Sequence, residues 1–332
     1  MDYQPGERLM LSRSAERLYW LARYLERTEN LARLVSVHMN LLMDLPKGVE
    51  MGWQQLIHIN GCQEAFHEHY KLAQERNVTR FLLTDPGHRN SLISCLSLAR
   101  ENIRTTRELL PDEAWEQVNE LYLYTKKHLD SVSSRRMRVL FLNEILEGCQ
   151  RFTGLLSGYM SHDHPYHFIL LGRNIERADM TSRILDLSSL LLSESRSDEM
   201  RQYESLLWMN VLQSLNALLM YRRHVRSRIK GDDVLNYLIL DSALPRSINC
   251  CLYEMADAIG KLPNHDKLPE DVADLKDFVL SIDTRQTTQL QLRNILDQLQ
   301  TKLAFLHERI ANNWFLAHSA EEVLMQQEQK AN

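Results

Sequence analysis

The sequence predicts an all-α protein, a duplicated helical bundle whose two pseudo-symmetric halves pack into one compact body. Apolar residues recur at helical spacing along nearly the whole chain, and no stretch alternates as a β-strand would. Only 11 Gly and 8 Pro interrupt the 332 residues, so long helices can run unbroken. A charged segment near the start is nearly repeated later in the chain, which indicates two related halves.

The apolar periodicity predicts a series of helices with no flexible linker between the halves. We expect the first half to cover residues 7–161 and the second half to cover residues 162–318, with a frayed tail at 319–332. The predicted helices cover about 7–44 (stopped by Pro46 and Gly48), 53–76, 90–110, 112–131, 135–161, 165–193, 198–230 (capped by Gly231), 242–261, 269–281 and 285–318.

Composition and charge are typical of a soluble globular protein, which we expect in the cytoplasm. Hydrophobic residues make up 44% and charged residues 25%, and no apolar run approaches the roughly 18 to 20 residues of a membrane span. The five cysteines show no Cys-x-x-Cys spacing, which predicts reduced, mostly buried thiols. A net charge of −5 gives no general attraction to nucleic acid or anionic lipid, so we expect neither as a partner.

Two pairs of segments match along the chain. The first pair is "WLARYLERTENLAR" (20–33) with "LLGRNIERADMTSR" (170–183), and the second is "VTRFLLTDPGHRNSLISCL" (78–96) with "VLNYLILDSALPRSINCCL" (234–252). Two collinear matches predict a tandem duplication with halves related by a pseudo-two-fold axis. In the first pair, Arg23, Glu26, Arg27, Glu29 and Arg33 match Arg173, Glu176, Arg177, Asp179 and Arg183.

The repeated charged stripe is either a solvated surface or the lining of an internal site. Exposed ion pairs on a helix contribute only about 0.2–0.5 kcal/mol each, so little would constrain them after a duplication. The repeated pattern therefore favours a cleft between the halves, where arginine forks hold an anionic small molecule, a peptide terminus or an acidic partner loop. A structural ion network that locks the halves together remains open. The candidate ligand- or partner-binding residues are Arg23, Arg27, Asn30, Arg173, Arg177 and Asp179, and the candidate catalytic residues are Glu26 and Glu176.

Other groups of polar residues give weaker signals. Glu64 and His67 have the spacing of di-iron ligands, but the second half offers no matching pair. In "HDHPYHF" (162–168), we interpret Asp163 as a helix cap rather than a metal or acid–base group. The basic run "YRRHVRSRIK" (221–230) is interpreted as the cationic end of a helix rather than as a docking patch for an anionic partner. The sequence has no phosphate-binding glycine loop, and we predict no metal and no cofactor.

The charged motifs resemble those of the alpha-E family, bacterial helical proteins named for a repeated Glu-Arg motif. The resemblance covers nearly the whole chain, and the family's Glu-Arg pairs fall on Glu26–Arg27 and Glu176–Arg177. It rests on "MLSRSAERLYWLARYLERTENLARL", "LGRNIERADMTSRILD", "ARENIRTTRELLPDEAWEQVN" and "PRSINCCL".

The resemblance implies a function in partnership with other proteins. Members of the family sit beside an ATP-grasp ligase-like protein and a transglutaminase-like protein. This implies an accessory subunit of an ATP-dependent system that forms peptide or amide bonds. The alternative is a stand-alone enzyme or binding protein that acts on an anionic amino acid or peptide in the Arg/Glu-lined cleft. On that alternative, Glu26 and Glu176 carry protons and the arginines hold carboxylates.

Overall fold

The computed structural model describes residues 12–44, 52–194, 204–226, 228–265 and 267–316, with the backbone alone for 189–194. The described residues are helical and contain no strand, which confirms the all-α prediction. The helices are α1 (Ser12–Asp44), α2 (Gln54–Ile59), α3 (Gln63–His69), α4 (Glu75–Thr79), α5 (Leu92–Arg104), α6 (Asp112–Lys127), α7 (Arg135–Tyr159), α8 (His164–Glu194), α9 (Glu204–Ser214), α10 (Leu218–Val225), α11 (Gly231–Leu240), α12 (Ile248–Gly260), α13 (Leu268–Leu280) and α14 (Gln289–Ala311). Short π-helical segments follow at Arg80–Thr84 and Asn312–Leu316, and 3-10 turns at Arg107–Leu109 and Leu129–Ser133.

The two longest helices, α1 and α8, pack against each other at the centre of the molecule. Helices α5 and α7 pack on α1, and helices α12 and α14 pack on α8 in the same way. Helix α6 contacts α5 and α7, just as α13 contacts α12 and α14. Helices at matching positions in the sequence therefore make matching contacts. The tandem origin of the halves and their boundaries at 7–161 and 162–318 stay predictions.

Matched serines begin α5 and α12. The side-chain oxygen of Ser91 accepts a hydrogen bond from the backbone N–H of Ser94 at 3.3 Å, and that of Ser247 accepts one from Cys250 at 3.1 Å. Each bond satisfies an N–H group that the first helical turn leaves free. The sequence match pairs these two serines, so the structure gives both positions the same local role.

The main hydrophobic core includes side chains from α1, α8 and the helices around them. All five cysteines are buried and free, as predicted. Burial raises the pKa of Cys62, Cys95 and Cys251 to about 12, so these thiols stay protonated at neutral pH. Among the described helices, none combines the length and apolarity that crossing a membrane requires.

The predicted helix at 53–76 is wrong as one element, because it divides into α2, α3 and α4. Gly61 takes a left-handed backbone conformation with φ of +60°, which ends the first of these helices. Glycine adopts this conformation without a steric penalty. The predicted helices at 90–110 and 112–131 also end earlier, and their last residues form 3-10 turns.

The predicted helix at 198–230 is also wrong as one element. Within the described residues, which begin here at 204, it divides into α9 and α10 at Asn216, whose φ is +53°. Helix α10 ends before Arg226, which takes φ of +51°. Gly231 consequently begins α11 rather than capping the helix before it, and α11 itself was not predicted. Some of the predictions concern positions outside the described residues, namely 7–11, Pro46, Gly48 and the tail from 317 onward.

Helices α1 and α8 approach so closely at Gly172 that their backbones touch. A Cβ atom added to Gly172 would lie 2.1 Å from the carbonyl oxygen of Tyr19. The obstacle is backbone rather than the flexible end of a side chain, so the contact has little room to relax. Glycine at this position therefore sets the distance between the two central helices.

We expect Gly172→Ala to lower the melting temperature and to reduce the free energy of unfolding by about 2–3 kcal/mol. The reason is that the added methyl group forces the central helices apart. The matched control is Gly154→Ala in α7, where an added Cβ atom meets nothing within 4 Å. Alanine favours a helix over glycine by about 0.5–1 kcal/mol, so this control should melt at or above the wild type. Equal melting temperatures for the two variants, measured by circular dichroism, would contradict the close approach.

Candidate functional site

Two Glu-Arg pairs meet across the contact between α1 and α8 and exchange partners. Glu26 of α1 accepts a hydrogen bond from Nε of Arg177 at 2.9 Å. Glu176 of α8 accepts hydrogen bonds from Nε and Nη2 of Arg27 at 2.6 and 2.9 Å. Each glutamate therefore binds the arginine that follows the other glutamate in sequence. This reciprocal pairing joins the two central helices.

Glu176 is saturated by two arginines from α1. Besides its two bonds from Arg27, it accepts a bond from Nε of Arg23 at 2.9 Å, and its side chain is 2% exposed. Burial acts to raise the pKa of this carboxyl group, but Arg27 and Arg23 outweigh burial and lower the pKa to about 2. Glu176 is therefore fully ionised at neutral pH.

Arg246, in the loop before α12, extends the network around Glu26 and Glu29. Its Nη1 lies 2.6 Å from Oε1 of Glu26 and donates to Oδ1 of Asn30 at 2.8 Å. Its Nη2 donates to Glu29 at 2.8 Å, and Glu29 also accepts from Arg33 at 2.7 Å. Burial acts to raise the pKa of Glu29, but Arg246 and Arg33 lower it below its usual range. One loop residue thus bridges two carboxylates and an amide of α1.

The loop that presents Arg246 is held in place by hydrogen bonds. The backbone carbonyl oxygen of Arg246 accepts a hydrogen bond from Oγ1 of Thr181 in α8 at 2.9 Å. Earlier in the loop, Oδ1 of Asp241 accepts from the backbone N–H groups of Ala243 and Leu244 at 2.9 and 2.7 Å. Ser247 caps α12 and also donates its hydroxyl to the carbonyl of Asp241. The guanidinium group is therefore positioned by a structured loop.

The matched position in the first half is Asn90, and it makes a different contact. Oδ1 of Asn90 accepts a hydrogen bond from Nη1 of Arg27 at 2.7 Å. Asn90 is neutral and supports an arginine that already binds Glu176. Arg246 is cationic and forms an ion pair with Glu26 itself. The network is therefore symmetric in its Glu-Arg pairs and asymmetric in the residue before each capping serine.

Aromatic side chains close one end of the network around Arg23. The guanidinium carbon of Arg23 lies 4.8 Å from the ring centre of Trp20. The hydroxyl group of Tyr19 lies 2.8 Å from Nδ1 of His307. Burial raises the pKa of Tyr19 to about 12 and lowers the pKa of His307 to about 4, so both side chains are neutral at pH 7. Because Tyr19 and His307 are neutral, Glu176 provides the counter-charge for Arg23.

The structure brings most of the predicted site residues together, although their proposed roles stay predictions. Arg173 lines a small cavity beside the network and binds no carboxylate in the described part of the chain. Asp179 pairs with Arg183 at 2.9 Å, where both side chains are partly exposed. The predicted residues within the network are Arg23, Glu26, Arg27, Asn30, Glu176 and Arg177.

Sequence reasoning did not assign Arg246, Glu29 or Asn90 to the site. Glu29 did appear in the repeated charge pattern, opposite Asp179. The signal for the other two was also present, because the second segment match aligns Arg246 with Asn90. Nothing in that match indicated that the loops reach α1.

The other predicted polar groups lie outside the ion network. Glu64 and His67 are on α3, and the described residues contain no group of three or more His, Cys, Asp or Glu that could hold a metal ion. The carbonyl oxygen of Asp163 accepts the N–H of His167 at 3.1 Å, and α8 begins at the next residue. Asp163 therefore occupies the expected position at the start of that helix, with Pro165 in its first turn.

The fold and the network define an all-helical protein whose central helices are joined by reciprocal Glu-Arg pairs. The chain belongs to the Alpha-E family, described as a predicted alpha-helical domain with a conserved ER motif, and the match covers residues 10–315. This confirms the family resemblance over nearly the whole chain. A search of curated proteins and of solved structures found no match.

We expect Glu176→Gln to lower the melting temperature markedly and to reduce the free energy of unfolding by about 3–5 kcal/mol. Removing the carboxylate leaves two buried guanidinium groups without a counter-charge, which is the costly way to break a buried ion pair. The matched control is Glu101→Gln. Glu101 pairs with Arg104 at 2.7 Å, but both side chains are more than half exposed. A Glu176→Gln variant that melts with the control would contradict the structural role of the network.

The same carboxylate predicts a specific dependence of stability on pH. The pKa of Glu176 falls from its usual 4.5 to about 2 on folding, so its stabilisation is complete above pH 4.5 and is lost as the pH falls towards 2. This shift in pKa corresponds to about 3 kcal/mol of the free energy of unfolding. Urea unfolding at stepwise pH should therefore show the wild type and Glu176→Gln converging towards pH 2. Parallel acid profiles would count against this prediction.

Proposed function

We propose that this protein is an accessory subunit of an ATP-dependent peptide- or amide-bond-forming system, acting in the cytoplasm with an ATP-grasp ligase-like protein. A transglutaminase-like protein is a further candidate partner. Support comes from the resemblance to the alpha-E family and from the sequence, which has no glycine loop for phosphate binding. On this proposal the ligase-like partner binds ATP and performs the chemistry.

The observation that carries the proposal is the pairing of both motif glutamates with arginine. Glu176 accepts three hydrogen bonds from Arg23 and Arg27, and Glu26 contacts both Arg177 and Arg246. Because the pKa of Glu176 is about 2, this group has no proton to donate at neutral pH and is a weak base. A carboxylate held in this way suits a rigid scaffold better than proton transfer.

An accessory subunit needs a surface for its partner, and the first turns of α7 offer one. Met137, Val139 and Leu140 are 44%, 38% and 56% exposed. Arg138, within the same short stretch, is instead buried. Exposed apolar side chains that cluster are typical of protein interaction sites. Met137 and Leu140 are three residues apart and therefore lie on one face of α7. We name these two residues the α7 patch and propose that it contacts the ligase-like protein.

We expect affinity-tagged protein from its native host to co-purify with an ATP-grasp-like protein, identified by mass spectrometry. Leu140→Asp should lower the recovery about tenfold, because a charge at the centre of an apolar contact is poorly solvated. The matched control is Leu290→Asp in α14, at a residue that is 72% exposed and lies outside the patch. Both variants should keep the wild-type melting temperature.

Two outcomes would contradict the proposal at different levels. Purification of this protein without any ATP-grasp-like partner would reject the accessory role. Recovery of the partner with equal yield from Leu140→Asp and Leu290→Asp would reject the α7 patch alone. If the partner is recovered, ATP consumption with candidate amino acids should rise when the two proteins are combined.

A second candidate function is the binding of an anionic amino acid or peptide in the Arg/Glu-lined cleft. The observation that favours it is Arg173, whose Nε is buried without a hydrogen-bond partner among the described residues. This N–H group is a hydrogen-bond donor that an anionic ligand could use. This candidate requires no proton transfer by Glu26 or Glu176.

A further inference from the structure

A groove of about 510 Å³ lies between α10, α11 and the loop that follows α11. Its volume falls within the roughly 300–1,000 Å³ that is typical of ligand-binding pockets. Helix α10 contributes Met220, Arg223 and His224 to its lining, α11 contributes Tyr237, and the loop contributes residues 241–245. These residues belong neither to the ion network nor to the α7 patch, so the groove is a separate surface.

Arg223 and His224 are part of the basic run at 222–230, and the structure limits the interpretation of that run as a helix end. Helix α10 ends at Val225, so the negative end of its dipole accounts only for the basic residues up to position 224. Three further cations follow the helix, namely Arg226, Arg228 and Lys230. Lys230 directly precedes α11, where the positive end of a helix dipole disfavours a cation.

Arg223 offers this groove a guanidinium group that is open to an anion. Its side chain is exposed and forms no ion pair with a carboxylate in the part of the chain that the structure describes. A guanidinium group donates hydrogen bonds in a planar fork that matches a carboxylate. The groove therefore contains a binding group for an acidic side chain.

Apolar and aromatic side chains provide the rest of the binding surface. Met220 is 47% exposed, and Leu219, next to it on α10, is 72% exposed. The ring centres of His224 and Tyr237 lie 5.5 Å apart, and Tyr237 also packs against the buried ring of Tyr221. Methionine and aromatic side chains are enriched where proteins bind one another. Charge is therefore combined here with surface for aliphatic groups.

The loop wall of the groove is already structured. Oδ1 of Asp241 accepts hydrogen bonds from the backbone N–H groups of Ala243 and Leu244 at 2.9 and 2.7 Å. The side chain of Ala243 is exposed, whereas that of Leu244 is buried. A ligand consequently meets a preformed wall and does not have to order this loop, which lowers the entropic cost of binding.

We propose that the groove between α10 and α11 binds an acidic segment of a partner protein, in which carboxylate and aliphatic side chains are interspersed. Arg223 binds a carboxylate of this segment, and Met220 contacts its aliphatic side chains. The charge of the site is complementary to such a segment, although the whole chain has a net charge of −5. The proposal stands independently of the accessory role.

Neighbouring carboxylates disfavour a nucleic acid or an anionic lipid surface as the occupant. Asp232 and Asp233 follow the basic segment directly at the start of α11, and Asp241 lines the groove itself. Binding to nucleic acid depends on neutralising a continuous row of phosphates, and these three carboxylates oppose it. An acidic protein segment carries separate charges and can place an aliphatic side chain beside Asp241.

Fluorescence anisotropy of the full-length protein with a fluorescein-labelled Glu-Leu-Glu-Leu-Glu peptide tests this proposal. We expect saturable binding at low ionic strength, which weakens as salt screens the exposed charges. A labelled Gln-Leu-Gln-Leu-Gln peptide lacks the carboxylates and should bind at least roughly tenfold more weakly. A labelled Glu-Ser-Glu-Ser-Glu peptide keeps the carboxylates but loses the aliphatic contacts, so its affinity should lie between the two.

Two variants separate the charge of the groove from its shape. Arg223→Glu should weaken binding of the Glu-Leu peptide at least roughly tenfold, because it places like charges opposite each other. Ala243→Trp should weaken binding to a similar extent, because the indole fills the groove without changing its charge. The matched control is Arg285→Glu, an exposed position outside the groove with the same change in net charge, which should alter the affinity less than about twofold. Circular dichroism should show the wild-type fold for all three variants, since each position is exposed.

Four results would overturn the proposal. They are no saturable binding of the Glu-Leu peptide, equal binding by Arg223→Glu and Arg285→Glu, equal affinity for the Glu-Leu and Glu-Ser peptides, and unchanged binding by Ala243→Trp. Tighter binding of a single-stranded oligonucleotide or of phosphatidylserine vesicles than of the peptide would also reject it and assign the groove to that class of partner. Recovery of an ATP-grasp-like protein is measured separately, so the accessory role and this site fail by different experiments.

Discussion

The reciprocal Glu-Arg pairs between α1 and α8 are the interaction on which the rest of the structure depends. Two buried glutamates and their arginines lose much hydration on folding, and the effective cost is several kcal/mol per ion. Only good geometry offsets that cost, and the reciprocal exchange supplies it with contacts of 2.6 to 2.9 Å. The close approach at Gly172 helps to fix this geometry, because it sets the spacing of the two helices. The pairs therefore specify one register of the central helices.

Much of this arrangement follows from sequence, because helical periodicity and a repeated charge pattern are local signals. They predicted the class of the fold, the long central helices and the membership of Glu26, Arg27, Glu176 and Arg177 in one pattern. Helix breaks were harder to predict, since Asn-Gly at 60–61 and Asn216 depend on backbone conformations that apolar periodicity does not reveal. Arg246 was missed for another reason. It lies in a loop, and only the tertiary fold brings that loop to α1.

Asymmetry enters this network through the residue before each capping serine. Ser91 and Ser247 form equivalent caps, so the loops before α5 and α12 deliver their preceding residues to equivalent places. Asn90 supports an ion pair that exists without it, whereas Arg246 adds a cation that competes for Glu26. One change of residue type thus redistributes the carboxylates without altering the helices. It converts one copy of a matched arginine, Arg173, from a structural group into an available one.

The two arginines that bind Glu176 limit the chemistry that this residue can perform. Proton transfer at neutral pH needs a group whose pKa lies near the operating pH, and Glu176, with a pKa of about 2, is far below it. Raising that pKa requires removal of Arg23 and Arg27, and these residues are on the opposite central helix. Acid–base chemistry by Glu176 would therefore require α1 and α8 to separate, which breaks the pairs that join these two helices. Ligand binding at Arg173 has no such requirement, because its guanidinium group is not committed to either helix.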